Sequence, residues 1–282
     1  MKSRLVLVLV LVAISLVSVP AMAQVREGNG MGVSAGHEHL RSMDVEAARK
    51  FWLALGGEPA TLGMVQIIKF PGVYLMFQNA AAGNRGGAAP APPPAPLQPS
   101  EGSTVESIGF KVRNLKESLA KLAAAGIKPL QGATSRQAML MAPDNVKVQI
   151  TEDSSISTPI ATDEMRMVVP NVNEAAEWYA KFFGAKVFKQ GADMIGQIPG
   201  MNIRFVPTNQ PAAGTQGRAI DHIGLEVQNL EAFMKKLEAG GVKINRPYAA
   251  APAQLTPLKS LAFVTDPWGT YIELNEGFSA IK

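Results

Sequence analysis

The chain of 282 residues contains no cysteine. Disulfide frameworks, thiolate metal sites and cysteine nucleophiles are excluded, so stability rests on core packing and on any bound metal. Histidine is scarce: the three residues are His37, His39 and His222. Aromatic residues make up 6% of the chain, and its Lys and Arg residues are scattered with no basic run. That combination argues against a nucleic-acid partner. The formal net charge of +4 reads as ordinary surface charge, with an anionic substrate as the alternative. No apolar run reaches the roughly 20 residues of a membrane-crossing helix.

The run LVLVLVLVAISLVSV, residues 5–19, follows the basic start MKSR and precedes AMAQ. A basic region, a short apolar run and a small-x-small site form the pattern of a secretory signal, with cleavage expected after Ala23. Residues 1–23 therefore read as a signal peptide. The mature protein is expected to be exported, periplasmic or secreted, with no stable membrane span after processing. A retained membrane anchor is the other reading of this run. The chain is 47% hydrophobic and 18% charged, which is the balance of a globular protein, and its length suits two domains.

What the sequence does contain is one pattern written four times. HEHLRSMDVEAARKFW begins at His37, SIGFKVRNLKESLAKL at Ser107, EMRMVVPNVNEAAEWY at Glu164 and HIGLEVQNLEAFMKKL at His222. Each is a short alternating strand, a polar residue and an amphipathic helix. Asp44, Asn114, Asn171 and Asn229 are the expected N-caps, since their side chains can accept from a first-turn amide. Strand-like runs follow each helix: VKINRPYA, SLAFVTD and TYIELN in the last unit, IKPLQGAT, RQAMLMA and VKVQITE in the second. Each unit therefore reads β-α-β-β-β. The spans are 36–79, 104–153, 161–209 and 218–278. Residues 80–103, rich in Gly, Ala and Pro, read as a connector or as a lid over a pocket.

Four βαβββ units, a His on the first strand and DPWGTYIEL near the end resemble the vicinal oxygen chelate superfamily. That group includes glyoxalase I, the fosfomycin- and bleomycin-resistance proteins and the extradiol dioxygenases. The resemblance spans about residues 36–278. It implies an α+β fold in which the four βαβββ units pair into two cupped mixed β-sheets with helices on the outside. It also implies metal ligands on the first and last strands of a unit.

Strand alternation then assigns residues to faces. In the fourth unit Ile223, Leu225 and Val227 lie under the helix, while His222, Gly224 and Glu226 face the cup. In the last strand Ile272 and Leu274 lie under the helix, and Tyr271, Glu273 and Asn275 face the cup. The same reading offers His37 and Met76 in unit one, Ser107 and Gln149 in unit two, and Glu164 and Arg204 in unit three. If units one and four share a cup, His37, His222 and Glu273 can hold one divalent ion such as Fe, Mn, Zn or Ni, with open positions for substrate. Glu164 and Arg204 then neutralise each other in a vacated second site. If units pair in sequence, Glu164 replaces His37 and Arg204 stands beside the ion. His39, Met76 and Tyr271 are candidate substrate contacts, while packing is the plainer role for His39 and Met76. Glu226 and Glu276 read as solvated rim charges.

The resemblance implies a glyoxalase- or dioxygenase-like metalloprotein whose ion chelates vicinal oxygens of a small-molecule substrate. Two departures stand out. SLAFVTD has no Tyr or His where ring-cleaving relatives carry them, and Met76 replaces a glyoxalase I ligand. A non-catalytic small-molecule binder of the bleomycin-resistance type is the alternative, and a structural protein of the envelope a third. The expected state is a monomer or homodimer.

Overall fold

The computed structural model describes residues 25–80 and 96–281. The expected signal peptide lies outside these residues, as do residues 81–95 of the connector. Among the described residues no helix is long and apolar enough to cross a membrane.

Unit one consists of β1 (Val33–Ser42), α1 (Val45–Leu55), β2 (Glu58–Leu62), β3 (Val65–Phe70) and β4 (Val73–Asn79). Unit two has β5 (Val105–Val112), α2 (Leu115–Ala124), β6 (Gln137–Ala142) and β7 (Val146–Glu152). Unit three has β8 (Ile160–Val169), α3 (Val172–Phe183), β9 (Lys186–Gln190), β10 (Asp193–Ile198) and β11 (Met201–Pro207). Unit four has β12 (Ile220–Val227), α4 (Leu230–Ala239), β13 (Lys243–Ala250), β14 (Ser260–Thr265) and β15 (Tyr271–Glu276).

The helices start where the polar residues stand. The side chains of Asp44, Asn114, Asn171 and Asn229 accept from the amides of Ala47, Glu117, Glu174 and Ala232. Each cap thus satisfies an amide that the helix itself leaves unpaired.

Among the described residues the fold is α+β, with two mixed sheets and four α-helices. The eight-stranded sheet runs β13-β14-β15-β12-β1-β4-β3-β2 and joins unit four to unit one. Its centre is the antiparallel pair β1–β12, flanked by the parallel pairs β1–β4 and β12–β15. The seven-stranded sheet, β6-β7-β5-β8-β11-β10-β9, joins units two and three about the antiparallel pair β5–β8. Helix-facing side chains of both sheets share one apolar core. Trp52 of α1, Phe70 of β3 and Phe110 of β5 meet there, the two Phe rings 4.6 Å apart. Ile223, Leu225, Val227, Ile272 and Leu274 are all fully buried in this core, as alternation requires.

Unit two lacks one of its expected strands. IKPLQGAT forms turns instead, and residues 128–134 are exposed. Pro129 removes a ladder donor, and in this segment Ile127 alone packs against the core. Two backbone bonds to β6 survive, Leu130 N to Met139 O at 2.7 Å and Thr134 N to Gln137 O at 2.8 Å.

The described end of the connector is docked. Ser100 and Ser103 are buried, Ala219 N donates to Gln98 O, and the Arg218 guanidinium donates to the carbonyls of Pro99 and Glu101. Side-chain donors compensate there for the regular structure that the composition disfavours.

Candidate metal centre

The pairing of β1 with β12 brings the first and last units' cup faces together. Register places Tyr74, His37, Gly224, Glu273 and Phe263 on one rung across five strands. The neighbouring rung carries Met76, His39 and His222. Residues paired in register project to the same side, so three imidazoles and one carboxylate converge. Between the two histidines of β1, Glu38 projects the other way into the core. It has no hydrogen-bond partner among the described residues, and burial pushes its carboxyl up to about 8.

The donor atoms lie close together. Glu273 Oε2 is 2.8 Å from His222 Nε2 and 3.2 Å from His37 Nε2. His39 Nδ1 is 3.1 Å from His222 Nε2. One donor atom from each of His37, His39, His222 and Glu273 fits within 4.8 Å of all the others. Ligands about 2.1 Å from a shared ion stand about 3.0–3.4 Å apart, so the spacing suits one small divalent cation. From alternation alone His39 reads as a substrate contact or as a packed histidine. The structure groups it with the other three.

Further groups orient these side chains. Asp221 Oδ1 accepts from His222 Nδ1 at 2.6 Å, and its Oδ2 accepts from the Gly217 amide at 2.7 Å. This leaves His222 Nε2 turned toward the cluster, the arrangement by which a carboxylate fixes the tautomer of a ligating imidazole. Asn275 Nδ2 donates to Glu273 Oε1 at 2.8 Å, which leaves Oε2 for the imidazoles. The His37 ring stacks on Phe278 with centroids 4.9 Å apart. It is buried, and neither of its ring nitrogens has a well-aligned hydrogen-bond partner. Nδ1 is thus left without a partner and Nε2 has only its 3.2 Å approach to Glu273, an arrangement that is costly in the interior without a ligand to use it.

Electrostatics favour the ligating forms of His37, His39 and Glu273 and hold His222 in its protonated form. Burial, with a smaller contribution from His222, holds the His37 imidazole below its ordinary value despite Glu273. Burial and the charges of His222 and His37 take His39 down to about 3. For His222, burial opposes the charge, but bonds to Asp221 and Glu273 outweigh it and hold the ring at about 9. Glu273 lies well below the carboxylate range: burial works against its charge, and the bonds to His222 and His37 prevail. Once His222 gives up its proton, Glu273 and Asp221 leave a double negative charge beside neutral imidazoles, which complements a dication.

The remaining sequence candidates fall into place around this cluster. Met76 packs in a small apolar group with Leu62, Tyr74, Leu261 and Phe278. Tyr271 stacks on Phe263 at 4.9 Å and lies 5.7 Å from the His222 ring. Glu164 and Arg204 sit in the other sheet. There Arg204 Nε donates to both Glu164 oxygens at 2.7 and 2.8 Å, Nη1 to Asp193 and Nη2 to Gln190. Of the other positions in that sheet, Ser107 is buried and Gln149 bonds Thr151.

Glu226 and Glu276 are not rim charges. Glu226 is buried in the cup and accepts from the amides of Gly277 and Phe278, each at 3.0 Å, thereby holding the C-terminal turn against His37. Glu276 caps α4 by accepting from Leu230 N at 3.1 Å. Asp221 and Phe278 went unnoticed in the sequence. The Asp-His dipeptide was the available signal for Asp221. Nothing local marked Phe278, whose contact depends on the chain's end folding back.

Residues 161–274 match the family model of the Glyoxalase/Bleomycin resistance protein/Dioxygenase superfamily. The chain therefore carries a domain of that superfamily. Glyoxalase I from Zea mays has a similar solved structure, with a TM-score of 0.64 and 13% identity over 88% of this chain and 94% of that one. A Bacillus subtilis protein provisionally described as a dioxygenase superposes with a TM-score of 0.61 and 12% identity, over 87% of this chain and 86% of that one. At such identities the likeness is one of fold, and it extends over both sheets. No curated protein matches the chain in sequence.

Proposed function

We propose that this is an exported metalloprotein of the glyoxalase and dioxygenase type, acting on a small-molecule substrate with adjacent oxygens. His37, His222 and Glu273 hold the ion, and His39 stands within reach as a fourth donor. The observation that carries the reading is the convergence of these four side chains, from both ends of the chain, on one buried point. A divalent ion held there supplies Lewis-acid stabilisation of an oxyanion that develops on the substrate. The chain's own residues do the rest. Asp221 and Asn275 orient His222 and Glu273. Phe278, Tyr74 and Met76 keep water from the inner side. His39, Phe263 and Tyr271, all partly exposed, border the side open to substrate. Export rests on the N-terminal pattern read from the sequence.

Elemental analysis of the purified protein, paired with thermal melts over a series of divalent ions, tests this. About one ion per chain and a metal-dependent rise in melting temperature are expected. Melting indifferent to every ion, with no bound metal, would instead favour the metal-free binder.

A further inference from the structure

We infer that the substrate is a small organic anion, held at its negative end by Arg41. This rests on the metal reading above and names the substrate class for that site. Alternation along β1 puts His37, His39 and Arg41 on the same face. In register with β4, Met76 is opposite His39 and Gln78 is opposite Arg41, so the guanidinium belongs to the next rung beyond the cluster.

At this point the sheet stops short. The last β12 partner of β1 is Ile220, opposite Leu40, and the Arg41 amide bonds Ala219 O in the preceding loop. Arg41 therefore stands at an edge of the cup, half-buried. Its Nη1 donates to Gly217 O at 2.6 Å. Its Nε is buried and has no hydrogen-bond partner among the described residues. Among the described residues Arg41 makes no ion pair, and the nearby Asp221 has both oxygens engaged, by His222 and by the Gly217 amide. The outer nitrogen Nη2 carries no hydrogen bond and is not among the buried orphans, so a half-buried guanidinium without a counter-ion among the described residues can meet a carboxylate from that side.

Arg246 adds a second cation across the mouth. It is in register with Phe263, which is in register with Glu273, so it too belongs to the cup face. It is exposed, and its charge is felt at the Tyr271 hydroxyl. The two arginines flank the partly exposed rings of His39, Phe263 and Tyr271. Among the described residues, the carboxylates in direct contact with the imidazole cluster are Glu273 and Asp221, and the ion would neutralise them. An incoming anion then meets a positive mouth. The class that satisfies both the ion and the arginine is an acid with an oxygen on the atom next to its carboxylate.

Calorimetry on the metal-loaded protein tests this with two chelators of similar size, oxalate and acetohydroxamic acid. Oxalate is a dianion at neutral pH and acetohydroxamic acid is neutral. Arg41→Gln should weaken oxalate about tenfold or more, the loss expected when a charge-assisted contact is removed, and leave acetohydroxamic acid unchanged. Arg41→Lys, which keeps the charge without the fork, should fall between. It also serves as the second variant if Arg41→Gln does not fold. Both chelators binding equally well to wild type and variants would overturn the inference and leave the metal reading intact. A protein that takes up no metal would overturn both.

Discussion

The His37 ring lies directly over Gly224. A β-carbon at Gly224 would collide with Nδ1 and Cε1 of that ring. The residue opposite a candidate ligand is thus one with no side chain, and the ring occupies the space so left.

Gly224→Ala should therefore act as a remote lesion of His37. The backbone of β12 at this point is ordinary strand, so the sheet should survive. The imidazole should be expelled, and metal affinity should fall about 10–100-fold, the range for losing a group that orients a ligand. Metal titration alongside a far-ultraviolet spectrum checks both halves. Unchanged affinity would show that His37 does not ligate.

His37→Ala and His222→Ala should each strip the ion from an otherwise folded chain, because the core packs on the opposite faces. His39→Ala should weaken binding less, since His37, His222 and Glu273, the proposed holders of the ion, all remain. Stoichiometry by elemental analysis separates the cases. Metal retained in His37→Ala and lost in His222→Ala would show that His37 is not a ligand.

Metal binding should release about one proton near neutral pH. His222, held at about 9, is protonated below that value and must lose the proton before its Nε2 can ligate. Affinity should accordingly rise with pH up to about 9 and then level off. The same shift has a stability side. Because the folded value exceeds the unfolded one, the contribution of His222 to stability in metal-free protein is fully present below the unfolded value of about 6.5. It is lost as pH rises through about 9. Calorimetry in buffers of different ionisation enthalpy measures the proton. Asp221→Asn should lower the pH at which affinity levels off, and an unmoved profile would show that Asp221 does not hold the proton on His222.

Glu164→Gln should lower the melting temperature and leave metal content intact. Removing one partner of a fully buried ion pair costs about 3–5 kcal/mol. Arg204 is 20% exposed and keeps Asp193, so about 1–3 kcal/mol is expected, the cost of an unsatisfied buried group. Chemical denaturation measures it. Loss of metal in this variant would show that the seven-stranded sheet takes part in the site.

Much of this protein is local in origin. A strand's side chains alternate whatever its neighbours are, so HIGLEV and TYIELN already sort Ile223 and Leu225 from His222, and Ile272 and Leu274 from Glu273. The caps Asp44, Asn114, Asn171 and Asn229 are equally local, since each bonds an amide two or three residues ahead. Four copies of one pattern then suffice for the α+β class. Other features belong to the tertiary structure alone. Both pairings of units bury the same helix faces, so alternation cannot choose between them. The junction of β1 with β12 decides it and places His37 and His39 beside His222. The fate of Glu226 depended on where the last residues returned: composition reads a surface carboxylate, and the fold gives it the amides of Gly277 and Phe278. Which face a side chain occupies is set by bonds along the chain, and what it meets there is set by strands that the chain brings together from far away.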